Sequence, residues 1–193
     1  MKRDVVMTNF QSSFLSCEKD TEEIIKKLFI TSKPYSERLK RLLVINTKDC
    51  LENSSDVVLK VLEDKTLAKL RQEGYIKLVP KIEMSEHEEV KAYVIISFDN
   101  FLPNIENPHF RDCTVNFDII CHTDYWDLGN YRLRPLLIAG YIDGILNNTK
   151  LSGIGTFNFL SCNELILNED LSGYSLSYRA IHGCDDRIPP QED

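Results

Sequence analysis

At Gly74 the apolar pattern of the chain changes period, and that switch limits what the chain can fold into. Before Gly74 the apolar residues recur at helical spacing: Ile24, Ile25, Leu28 and Phe29, then Leu39, Leu42 and Leu43, then Val57, Val58, Val61, Leu62, Leu67 and Leu70. After it they alternate, as on a half-buried strand. A chain written this way builds helices first and a sheet afterwards, which predicts an α+β fold.

The punctuation refines this. Asp20 or Thr21 is expected to cap a first helix, with Glu22 and Glu23 in its first turn, where carboxylates suit the helix dipole. Pro34 interrupts it and Ser36 opens a second helix, whose inner face ends near Asn46. Ser54-Ser55-Asp56 opens a third, for which Gly74 is the natural stop.

Strands are expected over Tyr75–Ile82, Val90–Phe98 and Cys113–Cys121, with Asp99–Arg111 as a Pro- and Asn-bearing loop. Arg132–Asn147 reads as a helix packed through Leu133, Leu136, Leu137, Gly140, Tyr141, Gly144 and Ile145, its glycines marking a close approach. Pro135 fits its first turn. Ser152–Gly155 is a turn, and Thr156–Leu167 and Tyr174–His182 form a hairpin joined by Asn168–Gly173. The sheet should be mainly antiparallel, with the one packed helix between the third and fourth strands. Residues 1–16 read as an extended arm and 185–193 as a polar tail. Between them 17–184 read as one domain, helical over 17–74, with sheet plus helix over 75–184.

Composition narrows the chemistry. With 193 residues, 42% of them hydrophobic, the chain can bury a core without staples. Its six cysteines include no CxxC pair, so free thiols are expected. A net charge of -7 does not steer it to nucleic acid or to anionic lipid. The basic residues Lys26, Lys27, Lys33, Arg38, Lys40 and Arg41 read as a solvated helix face. No apolar run is long enough for a membrane-spanning helix, and the first residues do not read as a secretory leader.

No phosphate-loop or dinucleotide-turn motif is written in the chain. His122, Asp124 and Asp127 are metal-compatible side chains, but their place between a strand and a helix suits turn and cap roles equally. His182, Cys184, Asp185 and Asp186, with Cys121 and His122 across the sheet, form the other cluster. Cys121 alternates with core residues and reads as an inert buried thiol. No catalytic, cofactor-binding or metal-binding residue is therefore expected. The candidate contact residues are aromatic and basic side chains of the arm, the loops and the start of the last helix: Phe10, Phe14, Phe101, Phe110, Tyr125, Trp126, Arg132 and Arg134.

One stretch carries a resemblance. The strand NFDIICHTD, the helix YRLRPLLIAGYIDGILN, the turn LSGIG and the closing strand SLSYRAIHG span Asn116–His182. Their order and texture resemble the neck proteins of tailed bacteriophages, in the tail-terminator and head-completion group. The amino-terminal helices lie outside that pattern. The resemblance implies an α+β virion subunit made in the host cytoplasm. It implies a ring of six or twelve copies between portal and tail. Portal or other connector proteins and tail proteins would be its neighbours, and DNA would pass through the lumen without specific binding. The arm, the loop 99–111 and the tail would be its contact elements. Two other readings stay open from the residues alone. One is a small metal-dependent enzyme using His122, Asp124, Asp127 or His182. The other is a cytosolic adaptor that binds through the basic helices.

Overall fold

The computed structural model describes residues 14, 17–78, 92–105, 110–151 and 154–183. Helix α1 (Cys17–Lys26) continues into a π-helical turn over Lys27–Thr31, and α2 follows at Tyr35–Val44. Helices α3 (Asp56–Asp64) and α4 (Leu67–Gln72) come next. The strands are β1 (Ile76–Lys77), β2 (Ala92–Pro103), β3 (Phe110–His122), β4 (Lys150–Leu151), β5 (Gly155–Thr156), β6 (Asn158–Ile166) and β7 (Leu171–Gly183), with α5 (Arg134–Leu146) between β3 and β4.

Five strands form the main sheet in the order β1-β2-β3-β7-β6. β1 lies parallel to β2 and the other pairs are antiparallel. The expected α+β class is thus the observed one: helices, then a mainly antiparallel sheet, with α5 between the third and fourth strands of that sheet in chain order, β3 and β6.

Register explains the core. Val94, Ile119 and Tyr174 stand opposite one another across three strands, as do Ile96, Phe117 and Leu176. This face meets α2 and α5, and Leu39, Leu42, Leu43, Ile138 and Ile142 bury completely against it. Each such side chain contributes about 1.5–3 kcal/mol. Tyr178, fully buried on the same face, donates its hydroxyl to Asp143 Oδ1 of α5 at 2.8 Å. Phe117 and Phe157 meet its ring edge-on, at centroid distances of 5.8 and 6.0 Å. The opposite face carries a side-chain ladder, with Ser175 donating to Asp118 at 2.5 Å and Ser177 to Asn116 at 2.7 Å. It also carries a small apolar cluster of Tyr93, Ile95 and Ile120.

Several elements differ from the sequence expectation. The first helix begins at Cys17, so Asp20 lies inside its first turn and is buried. The third helix is two, because Thr66 caps a new one: its Oγ1 accepts from Lys69 N at 3.3 Å. Gly74, with φ 84°, ends α4 as expected. Tyr75 N donates to Leu70 O and Gly74 N to Arg71 O, which closes the helix in a Schellman motif.

Most of the expected loop 99–111 belongs to strands. β2 runs on through Asp99 to Pro103 past a bulge at Asn100, whose φ of 52° admits the extra residue. Likewise Leu171 to Gly173 belong to β7, not to the turn. That turn is held by Asn168 Oδ1, which accepts from Asp170 N at 2.9 Å and Leu171 N at 2.8 Å.

The packed face of α5 is only partly the expected one: Ile145 is buried and Leu137 and Tyr141 pack against the core, as expected, but the face is centred elsewhere. Ile138, Ala139, Ile142, Ile145 and Leu146 are buried, while Leu133 and Leu136 are exposed. No atom lies within 4 Å of a Cβ built on Gly140 or Gly144, so no close approach holds these glycines in place. Apolar residues lie nearly all round this helix, and spacing alone does not select a face in such a sequence.

Candidate functional site

The polar connection after β3 is built by its own hydrogen bonds. His122 Nδ1 accepts from Asp124 N at 3.3 Å and so caps the 3-10 turn Thr123–Tyr125. Its ring meets Tyr125 edge-on at 5.9 Å. Asp127 Oδ1 accepts from Gly129 N at 2.7 Å, and its Oδ2 pairs with Lys48 at 3.1 Å. These two bonds hold the Asp127 carboxyl below the ordinary carboxylate range, the backbone amide first. The His122 and Asp127 side chains therefore serve the loop, while the Asp124 carboxylate is exposed, 3.6 Å from His122 Nδ1. No group of three potential ligands converges among the described residues. The His182 side chain, and Cys184, Asp185 and Asp186, lie outside the described residues.

Arg134 overturns its sequence assignment. Expected at a subunit contact, it is only 1% exposed. Its guanidinium donates to four backbone carbonyls of its own chain: Tyr125 at 2.8 Å, Leu42 at 2.6 Å, Ile45 at 2.8 Å and Thr47 at 3.0 Å. Three of these lie at or just beyond the end of α2, where helical carbonyls lack partners. Arg134 is a clamp between α2, α5 and the 3-10 turn. Trp126 is likewise turned inward, packed against the main core and donating Nε1 to Cys121 O at 3.4 Å, with Tyr174 at 6.2 Å. Arg132 pairs with Glu52 at 2.5 Å.

The basic helix residues do not form one solvated face. Arg41 is buried, bonded to Glu37 and to Asn53 O. Lys40 reaches Leu62 O, Arg38 reaches the Tyr141 hydroxyl, and Lys26 pairs with Glu22 and Glu23. Arg41 and Lys40 thus serve the fold, while Lys33 and Arg38 are exposed, as a solvated face requires.

The thiols are free, as the spacing predicts for those described: Cys17, Cys50, Cys113, Cys121 and Cys162. Burial pushes the Cys113 and Cys121 thiols up to about 12, so neither supplies a thiolate near neutral pH. Of the described cysteines only Cys162 is exposed.

Among the described residues exposed apolar side chains lie on α3 (Val57, Leu59 and Val61), at the start of α5 (Tyr131, Leu133 and Leu136) and in two places on the sheet. The first is the tip of the β2–β3 hairpin. Phe14, 64% exposed, docks edge-on to Phe101 at 4.9 Å, and Phe101 stacks on Phe98. Ile105 at the tip is 96% exposed, with Leu102 and Phe110 exposed on either side. Phe14 and Phe101 are in ring contact and Phe110 is exposed at the start of β3, while Phe10 lies outside the described residues. The second place is the edge strand β6, which sequence reading took for an ordinary hairpin strand. Its side chains Phe159, Leu160 and Ile166 are exposed, Leu160 to 51% and Ile166 to 72%. Glu164 is the only charge along it. The low charge of NFLSCNELI was a usable signal, since edge strands normally carry charges against pairing.

Fold and surface together define an α+β domain whose main core lies on one face of the sheet, with exposed apolar side chains at the end of the β2–β3 hairpin, along β6 and on α3. The chain matches the model of the family described as YomW over residues 36–180, and it belongs to that family, which is of phage type. The match takes in α2, α3 and α4, so these helices belong to the family's domain and are not an addition to it. No curated protein matches the chain. Among the described residues no helix is long and apolar enough to cross a membrane.

Proposed function

We propose that this protein is a structural component of a tailed-phage particle, assembling as a ring in the neck between portal and tail. The observation that carries the reading is the β6 edge, nine residues long with three exposed apolar side chains and no strand beyond it among the described residues. An edge of this kind is a template for another chain and is tolerated in a protein that uses it. Membership of a phage-type family supplies the context.

In this reading the sheet and α5 form the subunit body, and six or twelve copies close the ring. Portal, other connector or tail proteins lie above and below it. The net charge of -7 suits a passage that DNA traverses without sticking, since like charges repel. The role is one of assembly and not of catalysis.

Light scattering across a concentration series, with electron microscopy and a metal assay on the same sample, tests this. The expected result is a metal-free ring, alone or on adding a portal-type partner. A stable monomer holding one metal per chain would replace the reading with an enzymatic one. A metal-free monomer that never assembles would favour an adaptor.

A further inference from the structure

We infer that the outer face of α5 is covered by α5 of a second copy, the two helices lying antiparallel about a two-fold axis at Gly140. This contact stands apart from the ring reading, since it joins two free chains or two rings back to back.

The outer face of α5 is unlike that of a solvated helix. The helix carries only two charged residues. Arg134 is buried, and Asp143 accepts the Tyr178 hydroxyl at 2.8 Å. The outward side is left to Leu133, Leu136, Gly140 and Gly144, all exposed, with Leu137 and Tyr141 half-buried beside them. Spacings of three, four and four residues keep these positions on one line along the helix. A surface helix normally turns polar side chains to water, and one that is apolar all round belongs in an interior.

Residue type selects a helix as the cover. Glycine costs helix stability relative to alanine, and α5 carries two on its open side. Among the described residues nothing lies within 4 Å of a Cβ built on either. With no side chain they admit the close approach of a second backbone.

The order along the face selects α5 itself. Bulk lies toward the amino-terminal end, at Leu133 and Leu136, and the hollows follow at Gly140 and Gly144. An antiparallel pair centred on Gly140 sets Leu136 of each copy over Gly144 of the other. A parallel pair would stack Leu136 on Leu136 and leave a void over the glycines. The antiparallel arrangement also sets the positive end of each helix dipole beside the negative end of the other. One surface is thus complementary to itself, as a two-fold contact requires.

The area is sufficient. Tyr131, 105% exposed, precedes the helix, and Tyr35, 54% exposed, lies 6.3 Å from the Tyr141 ring. These two tyrosines offer on the order of 300 Å² of surface. The 13-residue helix adds a face about 20 Å long. Each copy therefore brings roughly 600 Å², at the lower end for a specific interface.

The test uses the full-length chain carrying Cys162→Ser, which silences the exposed native thiol. Gly140→Cys stands at the axis, so mild diamide oxidation is expected to give a covalent dimer on a non-reducing gel. Gly144→Cys should give none, because its two copies are about 12 Å apart along the helices, too far for a disulfide. Separately, Gly140→Lys should raise the dissociation constant of the dimer tenfold or more in analytical ultracentrifugation. Its melting temperature as a monomer should not fall, since lysine favours a helix over glycine and its Cβ meets no atom. Loss of the contact is thereby kept apart from loss of the fold. A dimer lost in Gly140→Lys supports the contact whether or not rings form. A Gly144→Cys crosslink without a Gly140→Cys one overturns it. Rings that Gly140→Lys leaves unchanged in size and layering overturn it and leave the ring reading standing. Maleimide labelling of Gly140→Cys that is blocked only on adding a portal-type protein overturns the second copy as the occupant. A chain that is monomeric at every concentration overturns the contact outright.

Discussion

The Arg134 guanidinium donates to the carbonyl oxygen of Leu42 at 2.6 Å, fixing the start of α5 to the end of α2. The charge is affordable in the interior because three further carbonyls share it. Replacing Arg134 by Met keeps much of the volume but strands these acceptors, each costing about 1–3 kcal/mol when left unpaired. Arg134→Met should therefore lower the unfolding free energy by roughly 3 kcal/mol or more, measured by urea denaturation. Arg134→Lys should recover only part, since an ammonium has three donors and no planar fork.

The same residue shows where sequence reading stops. Arg132 and Arg134 lie two positions apart at the head of one helix, and nothing local separates them. One pairs with Glu52 and the other enters the core, because the end of α2, some 90 residues earlier, arrives beside it. Long-range contact decides such roles, and period does not record it. By contrast β3 was legible, since Cys113, Val115, Phe117, Ile119 and Cys121 all point to one face and all are buried. The hairpin tip was legible in its aromatics but not in its strands, because Asn100 and Pro103 read as loop residues yet serve a bulge and a strand end. The β6 edge went unnoticed, since alternation identifies a strand and says nothing about its place in the sheet.

His122 tests whether the polar connection is structural. Its Nδ1 accepts the Asp124 amide, a role that Asn also fills well. His122→Asn should leave stability within about 0.5 kcal/mol, and His122→Ala should cost about 1 kcal/mol. Neither effect should change with added chelator or zinc, as read from thermal melts with and without each.

Alkaline pH should weaken the fold over a defined window. Burial raises Cys113 and Cys121 from 9.0 to about 12 and Tyr93 from 10.0 to about 12. The folded state thus keeps protons that the unfolded chain releases. The stabilisation is complete below pH 9 and is lost as pH rises toward about 12, the sign expected when the native state binds more protons. Urea midpoints measured from pH 8 to 11 should fall, and Cys121→Val should flatten the slope by removing one of the groups.

Gly173 lies where the sheet has no space for a side chain. It lies in β7 between Ile120 of β3 and Leu165 of β6, and a Cβ there would stand 1.8 Å from the backbone oxygen of Ile119. That neighbour is main chain in a central strand, so no side-chain rotation relieves the clash. β3 and β7 would have to separate where Ile119 and Cys121 are fully buried. Gly173→Ala should therefore cost at least about 2–3 kcal/mol, at the upper end of overpacking penalties. Amide exchange should show the loss first in β7 and β6, since β6 joins the main sheet only through β7.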